Sequence, residues 1–250
     1  MDTESLFVHD VMFTIPLGKL RIPVTNTIVM MWIIMVVMIV LALILVRPKK
    51  FEKVPKGKQL VAETIVGGIQ NILVKNMGKK GKDFTPYFGT ILLFLVFANI
   101  ASIFTIIPSA ELVHHWTGWM PKVWFQIEPP TSDLNLPLVL ALMTICLIPM
   151  SSIKYTGLKG YGKSFLKPTP IMLPFNILDY ATRTLSLSLR LFGNIFAGVV
   201  IMDMLYAGSV FVKPIVPLAS AFFDLFDAGL QAYIFVFLSS IYVSEAINNE

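Results

Sequence analysis

The sequence predicts an all-α integral membrane protein: five transmembrane helices plus an interfacial amphipathic helix, with the last two helices long and strongly tilted. Three observations carry this. First, the 250 residues are 56% hydrophobic and only 14% charged, with a mean hydropathy of +0.75. Soluble domains sit nearer 45–50% apolar and about 25% charged. Second, the apolar residues fall in long unbroken runs, not in the short alternating segments of an outer-membrane barrel. Third, the basic residues are distributed very unevenly between the loops. The chain reads as a single membrane domain over residues 1–250.

The first run, Val24 to Val46, follows an acidic leader and lacks a small-residue cleavage site, so it reads as a retained span and not as a signal peptide. The second covers about Tyr87 to Ile107 and the third Leu134 to Ile153. The fourth stretches from Ile171 to about Tyr206, and the fifth from Pro214 to about Ser244. Between spans one and two lie ten Lys and Arg residues, from Arg47 to Lys82. Lys154, Lys159, Lys163 and Lys167 add four between spans three and four. Only Lys19, Arg21, Lys122 and Lys213 fall on the other side, giving fourteen against four. This bias places the N-terminus outside and the C-terminus in the cytoplasm. The net charge of +5 is therefore a topology signal, and no nucleic-acid partner is expected.

Between the first two spans, Lys58 to Met77 sets Val61, Ile65, Ile69, Ile72 and Leu73 along one helical face. That pattern suits a helix lying in the inner interface, with a short soluble helix as the alternative. The outer loop from Pro108 to Asp133 carries Trp116, Trp119 and Trp124 as interface anchors. His114 and His115 lack a third ligand and read as solvated loop residues, so no metal is expected. Cys146 is the only cysteine, which excludes an internal disulfide and a Cys-based zinc site. No P-loop, Rossmann glycine pattern, zinc-helix motif or internal repeat is present, and no cofactor is expected.

Spans four and five would measure about 54 and 46 Å as helices, against a hydrocarbon core of about 30 Å. Ordinary tilts of about 20° do not absorb such a mismatch. No proline interrupts 175–212 or 218–250, so steep tilt is expected in preference to breaks at Gly193, Gly198, Gly208 or Gly229. Span four carries Asp179, Arg183, Ser186, Arg190 and Asn194 at steps of 4, 3, 4 and 4, hence on one face. An arginine keeps its charge in proteins and is costly in lipid, so Arg190, deep in the span, should face protein or water. Arg183, nearer the inner surface, can snorkel. The bland alternative for either arginine is an ion pair with Asp179 or an acid of span five. In span five, Asp224, Asp227 and Gln231 share a face at steps of three and four. Two neighbouring buried carboxyls share protons by coupled titration. An arginine beside such a pair points to a proton or cation route.

The segment Leu185 to Gly198, LSLSLRLFGNIFAG, resembles the signature of subunit a of F-type ATP synthases. The likeness extends to Pro168-Thr169-Pro170, Leu173 to Leu178, Leu230 to Phe235, Ile241-Tyr242 and Ser132 to Asn135. It is close in the C-terminal half, and a matter of span pattern in the N-terminal half. The resemblance implies that Arg190 is the stator arginine facing the carboxylates of a rotating c-ring. It implies that Asn194 and Gln231 line the ion path, and that Asn176, Asp179, Thr182 and Ser186 lie by an inner half-channel. The implied partners are the c-ring, b-type peripheral stalk subunits and membrane lipid. The implied place is the cell (inner) membrane, with the thylakoid membrane as alternative, and no catalytic chemistry belongs to this chain alone. One departure is visible: many relatives have Ala-Gly-Glu where Gly198 is followed here by Val199, and histidine where this chain has Asp224. Asp224, assisted by Asp227, is therefore expected to supply the outer half-channel acid, with Asp203 as rival. The competing readings are a stand-alone secondary ion transporter or channel, and a membrane enzyme. The first lacks an internal repeat, and the second lacks a nucleophile or metal cluster.

Overall fold

The computed structural model describes residues 11–17, 20–46, 54–103, 133–166, 173–207 and 228–248, together with 222 and 226. Two antiparallel strands come first, β1 (Val11–Leu17) and β2 (Leu20–Thr25). Their register pairs Ile15 with Ile22 and Leu17 with Leu20, with an irregularity between Val11 and Phe13. Pro16 and Pro23 are tolerated because a two-stranded ribbon consists of edges only. This hairpin was not expected from the sequence. Its second strand takes over Val24 and Thr25, so helix α1 begins at Asn26 and runs to Val46. Val24, Thr27, Met30 and Ile34 make a buried row at the start of α1, whereas Val36, Ile39, Val40, Leu43 and Ile44 are exposed. Exposed aliphatic side chains in this number suit a lipid-facing surface.

Helix α2 (Lys58–Met77) is joined to α3 (Gly81–Ile103) through a short 3₁₀ turn, Gly78–Lys80. Gly78 has φ of 64°, a region open to glycine at little cost. Gly81 is confined in another way, since a Cβ there would lie 2.6 Å from the carbonyl oxygen of Leu73. Ile69, Leu73 and Met77 are buried at steps of four, and the Ile69 side chain lies next to Gly89 of α3. The apolar face expected along α2 is thus covered only near the elbow. Val61 and Ile65 are exposed, because no described part of the chain packs over that end.

Helix α4 (Asn135–Leu166) continues well beyond the span expected there and kinks at Gly157, whose φ is 77°. Helix α5 (Leu173–Ala207) is continuous over 35 residues, and α6 covers Ala228–Asn248. Among the described residues, four stretches are long and apolar enough to cross a membrane: Thr27–Leu45, Lys58–Ile100, Asn135–Leu158 and Gly229–Asn248. The second is not one straight rod, since the Gly78 turn divides it. Helix α5 is as long, but its charged face sets it apart. The body of the chain is an all-α integral membrane protein.

The chain divides into two compact units. One holds Met1–Leu41, Phe94–Asp133 and Ile195–Gly229; the other holds Ala42–Leu93, Leu134–Asn194 and Leu230–Glu250. The core of the second unit gathers Leu73, Phe88, Ile148, Leu187, Leu191, Phe235, Val243 and Ile247. Thr144 and Ser151, buried in α4, donate to the carbonyls of Leu140 and Leu147 four residues back. Buried hydroxyls are thereby satisfied without a partner helix.

Candidate functional site

Helix α5 brings the polar residues read from the sequence onto one continuous element. Leu187, Ser188 and Leu191 are buried, at 1%, 1% and 0% exposure, and mark the face that packs against protein. The Ser188 hydroxyl donates to the carbonyls of Thr184 and Leu185. Asp179, Ser186, Arg190 and Gly193 are exposed, and steps of 7, 4 and 3 place them in one stripe. Arg190 therefore stands beside the packed face, on an exposed stripe where Ser186 and Gly193 are small, with the exposed Leu185 and Leu189 alongside. A Cβ at Gly193 would meet nothing within 4 Å.

The two arginines of α5 differ sharply in their surroundings. Arg183 Nη2 lies 2.8 Å from Asp179 Oδ2, and its Nη1 lies 2.8 Å from Glu245 Oε2 on α6. Its guanidinium carbon also sits 4.5 Å from the centroid of the Tyr242 ring. Two carboxylates and a ring face thus compensate one cation. The ion pair read from the sequence as the alternative to snorkelling is present, both with Asp179 and with Glu245, which directly follows the expected end of span five. No described residue pairs with or hydrogen-bonds to Arg190.

Gln231 is 4% exposed, and its Nε2 has no hydrogen-bond partner among the described residues. An unpartnered buried amide is costly, on the order of 1–3 kcal/mol, so water or an ion path beside it would relieve the cost. Asn176, Asn194 and Asp203 lie on the α5 backbone, but their side chains are outside the described ones. Asp224 and Asp227 lie outside the described residues altogether, as do His114, His115 and the three outer-loop tryptophans. The structure thus brings Asp179 to Arg183 and sets Ser186 and Arg190 on one stripe.

Glu245 was not singled out from the sequence, although it answers Arg183 directly. Its signal was present: an acid near the end of an apolar helix needs a cation. A tether at the other side of α6 was also missed. Asn76 Nδ2 donates to Ser240 Oγ at 2.8 Å, and Ser244 Oγ donates to the Asn76 carbonyl at 2.9 Å. Lys80 Nζ lies 3.4 Å from both the Ile247 carbonyl and Asn248 Oδ1.

Residues 28–244 match the family model for the ATP synthase A chain. The sodium ion specific ATP synthase subunit a of Propionigenium modestum is 33% identical over 247 residues, which cover 97% of this chain and 81% of that one. ATP synthase subunit a of Oceanobacillus iheyensis is 32% identical over 257 residues, the full length of both. ATP synthase subunit a 1 of Chlorobium luteolum is 36% identical over 188 residues, covering 75% and 74% of the two chains.

Proposed function

The chain belongs to the ATP synthase A chain family, and on that premise we propose that it carries ions to and from the c-ring of a rotary ATP synthase, with Arg190 as the fixed stator charge. The observation that carries the reading is the contrast on α5: Arg183 is held by two acids, while Arg190 stands exposed on a stripe of small residues. Small flanking residues let another helix come close. A cation there, without a partner among the described residues, would stabilise a ring carboxylate as it loses its ion and passes by.

Two offset half-channels complete the scheme. An ion reaches the ring carboxylate from one side of the membrane, rides the rotating ring, and leaves towards the other. The fixed charge between the channels prevents a direct leak. Lysine would serve poorly, because it can lose its proton when desolvated whereas arginine does not. Asn194 and Gln231 line the path by Arg190, and Asn176, Thr182 and Ser186 border the inner half-channel. Asp179 belongs to that end too, although its carboxylate is engaged with Arg183. Asp224, with Asp227, supplies the outer acid that Val199 does not. The partners are the c-ring, b-type stalk subunits and lipid of the cell membrane, with the N-terminus outside. Long α5 and span five lie steeply tilted along the ring wall. Chemistry on ATP belongs to other subunits.

The experiment is purification of the tagged chain from native membranes, followed by reconstitution into vesicles. Recovery with a ring of small hairpin proteins, ATP-driven ion uptake by that complex, and little conductance from the chain alone are expected. Ion transport by the isolated chain at the rate of the complex would instead favour a stand-alone carrier. One relative's name specifies sodium and the other names specify no ion, so ATP hydrolysis with and without Na⁺ in the same preparation identifies the coupling ion.

A further inference from the structure

We propose that Arg183 and Glu245 are positioning residues: their ion pair sets the register of α5 against α6, and through it the level at which Arg190 stands. This rests on the reading of Arg190 given above. Apolar helix surfaces in lipid discriminate poorly between one turn and the next, because lipid tails are as apolar as the side chains they replace. The apolar buried residues of the two helices are of this kind, Leu187 and Leu191 on α5 and Ala232, Phe235, Val236, Val243 and Ile247 on α6, beside the buried Ser188, Gln231, Ser239 and Ser240. A slip of one turn, about 5.4 Å, would rebuild most such contacts.

It would not rebuild the Arg183 clasp. One arm of the guanidinium is committed to Asp179 of its own helix and the other to Glu245 of the opposite one, each at 2.8 Å. Tyr242, three residues before Glu245, covers the cation's face at 4.5 Å. A slipped helix would separate Arg183 from Glu245 and draw Tyr242 off the guanidinium face, so the ion pair and the ring contact between the helices would be lost together. A polar contact that only one alignment can form is a known way to specify register between helices.

The clasp also has something fixed to hold. Helix α6 is tied to the α2–α3 elbow by Asn76, Ser240 and Ser244, so Arg183 is where α5 hooks onto an anchored element. From there the rigid helix carries the setting to Arg190, seven residues and about 10 Å further along. Gln231 lies fourteen residues from Glu245 on α6, about 21 Å by the same rise. A stator charge works only at one level against the ring, and misplacement by 1 Å can cost about 100-fold in a positioned reaction.

The test uses the whole ATP synthase in vesicles, with Glu245→Gln, Glu245→Asp and the exchanged pair Arg183→Glu with Glu245→Arg. The readouts are the maximal rate of ATP-driven pumping and the ion concentration giving half that rate. Glu245→Gln should lower the maximal rate about tenfold at an unchanged half-saturating concentration, with Glu245→Asp in between. The exchanged pair keeps an arginine on one helix facing two acids on the other, and should restore pumping to within about threefold of the parent. Pumping by Glu245→Gln within about twofold of the parent would overturn the proposal. So would a shifted half-saturating concentration, which would put Glu245 in the ion path, or an exchanged pair no better than the single change. If Glu245→Gln does not assemble, recovery of assembly and pumping in the exchanged pair supports the clasp, and failure there overturns it. Arg190→Lys run alongside separates the two claims: normal pumping by that variant removes the stator reading, whatever Glu245 does.

Discussion

Asn76 and Ser240, 164 residues apart in the chain, share a hydrogen bond of 2.8 Å, and the Asn76 carbonyl accepts a second one from Ser244 a turn further on. A loop helix and the last helix of the chain are therefore tied through one residue, by its side chain and its backbone together. Replacing Asn76 with Ala removes the first bond and leaves the second, while Ser240 keeps its donation to the Phe237 carbonyl. The expected loss is about 0.5–1 kcal/mol, the usual worth of such a bond between helices in a membrane. Thermal dissociation of the purified complex should move down by a few degrees, with pumping at low temperature retained. An unchanged dissociation temperature would show that the tether contributes nothing.

The elbow between α2 and α3 allows a sharper contrast. Gly81→Ala places a methyl group 2.6 Å from the Leu73 carbonyl oxygen, so backbone must shift. Gly67→Ala and Gly68→Ala meet nothing within 4 Å and gain up to about 1 kcal/mol of helix propensity. Membrane levels of assembled complex should fall several-fold for the first and hold or rise for the other two. Equal levels in all three would mean that α2 does not fold back against the elbow as described.

Much of this arrangement was legible in the sequence, and the reasons are particular. Helix α2 could be read at Lys58–Met77 because Gly57 and Gly78, both at positive φ, punctuate a clear apolar period. Arg190 and its companions could be placed on one face because α5 is continuous and spacing survives only in an unbroken helix. The β-hairpin is not legible in the sequence because Pro16 and Pro23 weaken both strand signals and the second strand runs into the apolar stretch that follows. Glu245 escaped because a pairing over 62 residues has no periodicity to betray it. The same holds for the kink at Gly157, which let α4 run on past the apolar stretch into the basic loop.

Asp224 precedes Gln231 by seven residues in the sequence, and on the proposed reading it faces the exterior half-channel. Proton hopping requires a titratable group near water but not on a particular helix, so an acid at 224 can replace one missing at 199. Asp203 is thirteen residues beyond Arg190 on α5, about 20 Å by helix rise, which on the proposed reading puts it at the rim. ATP-driven pumping should therefore fall strongly in Asp224→Asn, moderately in Asp227→Asn and little in Asp203→Asn. If Asp203→Asn is the most damaging of the three, the acid has not been relocated.

The central claim is that a permanent positive charge at position 190 separates the two half-channels. Its most direct test is ATP-driven ion uptake by vesicles containing the complete complex with Arg190→Lys, alongside ATP hydrolysis and complex yield from the same membranes. Normal assembly, retained hydrolysis and a loss of pumping of at least about 100-fold are expected, the scale of removing one preorganised charge. Near-normal pumping by that variant would contradict it.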